Sequence, residues 1–212
     1  MPADGRGADH VDLDLVPAEL IAPRLRKVAV GAVVVGVLLA VIASFFLPVA
    51  VAVVLGVVVA VPAAGSAWVG LRRRLWLDGT TLHARGAVRT RALDVPTLVS
   101  AEVQVRTARI DQISLRLYDG RTRVSIPLAL YTQGGGRELP ILSLRALADA
   151  LWTSELVPAA AVASVLVDQL KAEARDAGLN ERPLYRAIEL VRKAGRTPMA
   201  TLTDREVAGL SS

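Results

Sequence analysis

VAVGAVVVGVLLAVIASFFLPVAVAVVLGVVVAVPAAGSAWVGL occupies residues 28–71 and carries no charged side chain in 44 positions. All 25 basic and 20 acidic residues of the 212-residue chain lie outside it. At about 1.5 Å per residue, one helix of that length would run roughly 66 Å, more than twice a hydrocarbon core of about 30 Å. Two spans fit instead, 28–47 and 49–69, with Pro48 breaking the ladder between them. The short apolar turn Phe45-Phe46-Leu47-Pro48 makes the two helices antiparallel neighbours. A secretory signal is the rival for the first span. Its apolar core would be only about 7–15 residues and would be followed by a cleavage site, not by a second apolar run.

The flanks set an expected orientation. Arg24, Arg26 and Lys27 precede the first span, and Arg72, Arg73 and Arg74 follow the second. Basic residues on short loops stay cytoplasmic, so both termini are expected on that side of a cell inner or plasma membrane. Small residues recur every fourth position: Ala32, Gly36, Ala40 and Ser44, then Ala52, Gly56, Ala60 and Ala64. Such stripes let helix backbones approach closely in lipid, and Ala32, Gly36, Ala40, Ala52, Gly56 and Ala60 are the expected packing residues. No ionisable group lies inside either span, which argues against an ion or proton path through the hairpin.

Beyond residue 72 the apolar period changes to two. In 97–106, Val99, Ala101, Val103 and Val105 alternate with Ser100, Glu102, Gln104 and Arg106, the pattern of a half-buried strand. Ile113, Leu115 and Leu117 repeat it, Asp119-Gly120 marks a two-residue hairpin turn, and Thr122, Val124 and Ile126 run back. Three shorter strands precede these, at 75–77, 81–85 and 88–93. Six short antiparallel strands predict a small barrel or sandwich. The spacing leaves 131–140, with its glycine triplet, as a flexible loop. Ser143 is then expected to cap a helix with Leu144, Leu147, Ala148 and Leu151 on one face.

The run RRRLWLDGTTLHARGAVRTRALDVPTLVSAEVQVRT (72–107), following a two-span hairpin and followed by SLRALADALW (143–152), resembles the bacterial PH-like membrane proteins of high-GC bacteria. The resemblance covers about 72–152. It implies a PH-like barrel of about seven strands plugged by the helix, the seventh supplied by 127–130 or 140–142, and a domain that binds or scaffolds without catalysing.

The expected fold class is therefore a membrane α+β protein: a transmembrane hairpin at 28–71, an antiparallel PH-like β-barrel or sandwich at 72–157 closed by an amphipathic helix, and a helical C-terminal extension at 158–212. In that extension Val162, Val165, Leu166 and Leu170 form one stripe, and Leu184, Ile188 and Val191 another. The run 156–167 reads as a packing helix, and Thr203–Glu206 has the form of a capping box. Residues 1–16 read as disordered and 17–27 as an interfacial segment.

Chemistry is scarce in this inventory. There is no cysteine, so thiol nucleophiles, thiolate metal sites and disulfides are excluded. The two histidines, His10 and His83, suffice for no catalytic triad or H-E-x-x-H motif. No enzyme activity and no cofactor are expected. The remaining signal is charge: residues 72–157 hold 13 Arg against 8 Asp and Glu, so the whole of the chain's formal excess of +5 sits there. Arg72, Arg73, Arg74, Arg89, Arg91, Arg121 and Arg123 are the expected contacts with anionic headgroups, each contributing about 1 kcal/mol near the surface. Nucleic acid is not an expected partner, because aromatics are almost absent among these arginines. The expected partners are the bilayer and either another protein or a second copy. Two functional readings follow. One is a membrane-tethered binding or scaffolding module; the other is an accessory subunit of a larger membrane enzyme or transporter.

Overall fold

The charge-free run forms two helices joined by a four-residue turn. In the computed structural model, which describes residues 10–15, 18–72, 74–86, 89–132, 135–196 and 198–211, helix α1 is Ala18–Ser44 and helix α2 is Val49–Arg72. The chain divides into two units. One comprises residues 16–74 and 85–90 and holds the helix pair; the other comprises 1–15, 75–84 and 91–212. The segment expected at the interface, 17–27, enters α1 without a break from Ala18, with Pro23 in the early turns. Among the described residues, Arg26–Ser44 is the one helix long and apolar enough to cross a membrane, with a mean hydropathy of 2.4. The second expected span is a continuous helix, but its described apolar part is Val49–Pro62, shorter than the roughly 20 residues a crossing needs.

The second unit is α+β with two antiparallel sheets. The first is ordered β1 (His10–Asp12), β2 (Arg74–Asp78), β3 (Thr81–Arg85), β4 (Thr90–Asp94). The second is ordered β8 (Gly135–Glu138), β7 (Arg123–Thr132), β6 (Asp111–Tyr118), β5 (Ser100–Arg106), β9 (Met199–Thr201). Among the described residues neither sheet closes on itself, so of the expected barrel or sandwich the barrel is not formed and the unit holds two open sheets. Period-two alternation is fully visible in the second. Ala101, Val103, Val105, Ile113, Leu115, Leu117, Val124 and Ile126 are all buried on one face, as side chains projecting alternately above and below a pleat require. Val99 departs from the pattern. It precedes β5 and is 61% exposed.

The seventh strand comes from neither expected segment. Residues 127–130 lie inside β7, where the ladder with β6 shifts register between Ile113 and Ser114, opposite Pro127. A proline has no N–H to donate, and the irregularity accommodates it. Residues 140–142 instead lead into helix α3 (Ile141–Trp152). The expected 131–140 loop is largely a hairpin, with β8 paired to the end of β7. Gly136 sits opposite Tyr131, and a β-carbon there would collide with the Tyr131 ring. Thus part of the glycine triplet is explained by a close approach, not by flexibility. The turn between β6 and β7 has four residues, 119–122, rather than two. The Asp119 carboxylate accepts from the N–H groups of Arg121 (2.8 Å) and Thr122 (2.6 Å). Burial opposes its charge, but these N–H donors outweigh it and hold the carboxyl below its ordinary range.

Helices α3, α4 (Val157–Ala174), α5 (Pro183–Lys193) and α6 (Asp204–Ala208) pack into one core with the sheets, running from Leu13 to Leu210. Leu144, Leu147, Ala148 and Leu151 of α3, Val162, Val165 and Leu166 of α4, and Leu184, Ile188 and Val191 of α5 are buried, each set spaced along one helical face. The C-terminal segment is therefore part of the β unit. It also contributes β9 to the sheet edge through the pairs Gln104–Thr201, Val105–Ala200 and Arg106–Met199. Thr203 and Glu206 form a capping box at α6.

The acidic N-terminus contains a correction too. Residues 10–12, expected to be disordered, form β1, pairing His10 with Asp78, Val11 with Leu77 and Asp12 with Trp76. Leu13 N–H donates to the Leu75 carbonyl at 2.8 Å, and both Leu13 and Leu15 are buried. Ser143 does not cap α3, which begins two residues earlier. Its buried hydroxyl donates to the Asp12 carbonyl at 2.6 Å and so secures β1.

Candidate functional site

The helix pair is built on its small residues. A β-carbon on Gly36 would lie 2.7 Å from the Gly56 carbonyl oxygen and 2.8 Å from the Ala60 β-carbon. One on Gly56 would lie 2.5 Å from the Gly36 carbonyl oxygen and 2.9 Å from the Ala40 β-carbon. Real β-carbons do not come that close, so the two backbones touch at a point only glycine permits. Ala52 is buried, and Ala32, Ala40 and Ala60 are half-buried along the same seam. The bulky residues point the other way: Val30, Val34, Leu38, Ile42, Val54 and Val58 are more than half exposed, and Phe45 and Phe46 at the turn are 80% and 85% exposed. A soluble monomer rarely exposes a contiguous apolar patch beyond a few hundred Å².

The arginines divide. Arg121 lies in the β6–β7 turn and Arg123 opens β7, both exposed, with the Arg123 guanidinium 5.1 Å from the centre of the Tyr118 ring. These two are brought together. Arg91 is exposed on β4 of the other sheet, with the strand parity of buried Leu93, and Arg89 belongs to the helical unit. Arg74 opens β2 and is exposed. The side chain of Arg72 and the whole of Arg73 lie outside the described residues. Of the two histidines, His83 stacks on Trp76 at 5.2 Å and 11°, with His10 on β1 5.8 Å from the same ring.

Sequence reasoning missed a polar cluster inside the α+β unit. Gln169 occupies the position that continues the α4 stripe Val162, Val165, Leu166, and it is fully buried. Its Nε2 donates to Glu138 Oε2 at 2.8 Å, and its Oε1 accepts from the Leu184 N–H at 3.2 Å. Arg182 Nη1 donates to the same Glu138 oxygen at 2.7 Å, and the Tyr131 hydroxyl donates to the other. The pair is well covered, with Glu138 8% and Arg182 19% exposed. Burial and the bond to Glu138 push the Tyr131 hydroxyl far above its usual range. Glu173 lies near this group with a buried Oε2 that has no hydrogen-bond partner among the described residues, and burial, then the Glu138 charge, raises its carboxyl. A glutamine on an apolar helical stripe was the one visible sign of this cluster.

Beside it, a cavity of about 1080 Å³ opens at the end of the second sheet. The β5–β6 turn (Arg109, Ile110), Asp111, the end of β7 (Tyr131, Thr132), Leu179, and Tyr185 and Arg192 of α5 line it. Arg192 Nη2 donates to Asp111 Oδ2 at 2.5 Å. Among the described residues, Asp111 Oδ1 and Thr107 Oγ1 are buried and have no hydrogen-bond partner.

No family model, no curated protein and no solved structure matches the chain. Among the described residues, no three His, Asp or Glu side chains converge as a metal ion would require. Function therefore rests on the geometry alone.

Proposed function

We propose that this protein is a membrane-anchored, non-enzymatic binding or scaffolding protein. Residues 28–47 and 49–69 cross the bilayer as an antiparallel hairpin, and the α+β unit is held at the cytoplasmic face as a PH-like module. The observation that carries this reading is the β1–β2 ladder. A strand preceding the hairpin pairs with a strand following it, through Val11–Leu77 and the Leu13–Leu75 hydrogen bond. Hydrogen-bonded strands occupy the same side of a membrane, so the chain between them must cross an even number of times. Two crossings also agree with basic residues on both flanks, Arg26 and Lys27 before and Arg74 after. The PH-like reading rests on the sequence resemblance of 72–152.

The accessory-subunit reading is less well supported. The small-residue faces suited to docking in a larger helix bundle are spent on each other, and the outward faces carry branched aliphatics. Reporter fusions in the intact chain test the topology. Fusions after Arg74 and after Ser212 should report the cytoplasm, and an insertion at Pro48 the opposite side. Export of the Arg74 fusion alone would make the segment a single span and overturn the proposal. Cytoplasmic signals from all three sites would mean that the hairpin does not cross at all.

A further inference from the structure

We infer that the first turn of α3, through Ile141 and Leu142, enters the bilayer surface as an apolar wedge and gives the α+β unit a lipid contact of its own. This rests on the hairpin crossing the bilayer as proposed above. Helix α3 covers most of its apolar residues: Leu144, Leu147, Ala148, Ala150 and Leu151 are buried. Ile141 and Leu142 at its start are 52% and 75% exposed. Single exposed apolar residues, such as Val99 and Met199, are ordinary on a protein surface. Outside the apolar hairpin, no other two consecutive large apolar residues are exposed among the described residues. The pair is also held rigidly outward. Just before it, buried Leu139 donates its N–H to the Leu128 carbonyl at 2.8 Å. Just after it, the Ser143 hydroxyl is fixed on Asp12.

Chain length identifies what covers the pair. Ser143 donates to the Asp12 carbonyl at 2.6 Å, and Asp12 pairs with Trp76, so the wedge stands beside the β1–β2 ladder. Trp76 follows the end of α2 by four residues, a reach of at most about 14 Å of extended chain. Asp12 precedes the start of α1 by six residues. The strand that anchors α3 and the strand it pairs with are thus the two tethered directly to the hairpin, both by short segments. A bilayer around the hairpin therefore lies within reach of this turn. The neighbouring charge agrees. Arg74 opens β2 exposed, and Arg145, one helical turn after Ile141, has a side chain 74% exposed. Arginines beside an apolar wedge keep their guanidinium groups at the level of anionic headgroups while the aliphatic side chains go deeper.

The chain has no cysteine, so one fluorescent label can be placed at a time in the full-length protein. Leu142→Cys, Asp149→Cys and Val58→Cys, each carrying an environment-sensitive nitrobenzoxadiazole, are compared in nanodiscs of mixed zwitterionic and anionic phospholipid, with and without nitroxide-bearing lipid. Asp149, 71% exposed on the same helix, is the water reference. Val58, exposed on α2, is the lipid reference. The label at 142 should emit to the blue of that at 149 and lose intensity with nitroxide lipid, as the label at 58 does. Ile141→Cys repeats the measurement at the adjacent position. Quenching at 58 but at neither 141 nor 142 overturns the inference and leaves the hairpin standing. No quenching at 58 removes the hairpin reading and this inference with it. A blue-shifted but unquenched label at 142 would place protein, not lipid, over the wedge and also overturns it.

Discussion

Gly36 and Gly56 meet backbone to backbone, each carbonyl oxygen lying where the other residue's side chain would begin. A leucine at either site must push the helices apart, because a backbone atom cannot move aside as a side-chain tip can. Gly36→Leu and Gly56→Leu should therefore separate the hairpin, while the exposed Val34→Leu and Val54→Leu should not. Crosslinking between cysteines engineered on the two helices reads the difference, and equal yields from all four variants would remove the seam's special role.

The Glu138–Arg182 pair joins β8 to the start of α5 in a largely covered setting. Removing one partner of such a pair leaves the other charge buried, at a cost of about 3–5 kcal/mol. Arg182→Met and Glu138→Gln should each lower the denaturation midpoint markedly. The double variant should cost less than the two changes added together, because the groups share one interaction. Simple additivity would show that they act independently.

Glu173 works in the opposite direction. Its carboxyl is raised by burial and by Glu138, so the folded state favours the protonated form. The stability linked to this group is fully present below the ordinary glutamate pKa of 4.5 and is lost as pH rises through the raised folded value. Glu173→Gln should therefore raise the melting temperature at pH 7 and have little effect at pH 4. A melting temperature at pH 7 that falls on substitution would contradict this account.

The last 17 residues carry more than an end cap. Leu202, Val207 and Leu210 are buried, and the Arg196–Glu206 ion pair at 2.5 Å ties α6 to the end of α5. Fully burying one such side chain contributes about 1.5–3 kcal/mol, so losing three approaches the whole stability of a domain, about 5–15 kcal/mol. Truncation after Gly195 should leave β5 open to hydrogen exchange and the unit largely unfolded. A cooperative melt near the full-length temperature would show that the segment is dispensable.

Arg121 in the β6–β7 turn and Arg123 at the start of β7 are both exposed and are the strongest candidates for headgroup contact. Full-length protein in nanodiscs with anionic lipid should show slower amide exchange at 119–123 than in zwitterionic discs, with the difference fading as salt rises. Replacing both arginines by Gln should abolish that difference. Unchanged protection in the double variant would assign these arginines to solvent.

Where each residue's environment is set by its near neighbours in the chain, the sequence was readable. The alternation through β5, β6 and β7, the stripes of α3 to α5, and the Thr203 cap all depend on positions within a few residues of one another. The features that escaped depend on distant partners. His10-Val11-Asp12 is too short to show a period, and it is a strand only because β2 lies beside it. Ser143 was read as a local cap because its acceptor, Asp12, lies 131 positions away. Glu138, Gln169 and Arg182 come from three different elements, and nothing in their spacing announces that they meet. The cavity at Asp111 and Arg192 was unreadable for the same reason, since an exposed arginine on a helix otherwise looks like solubility.

The pairing of β1 with β2 also imposes an order on biogenesis. The first strand of the sheet leaves the ribosome before the hairpin, but its partner is made more than 60 residues later. At about 5–20 residues per second, that is a wait of roughly 3–12 s. During it, residues 10–15 have nothing to pair with, and Ser143, which secures them, comes later still. The sheet can close only after the two helices that lie between its strands in the chain have been made. Completion of this sheet thus records that the helix pair has already been made, and a chain cut short before β2 would present an unfinished sheet edge to the cell's quality control.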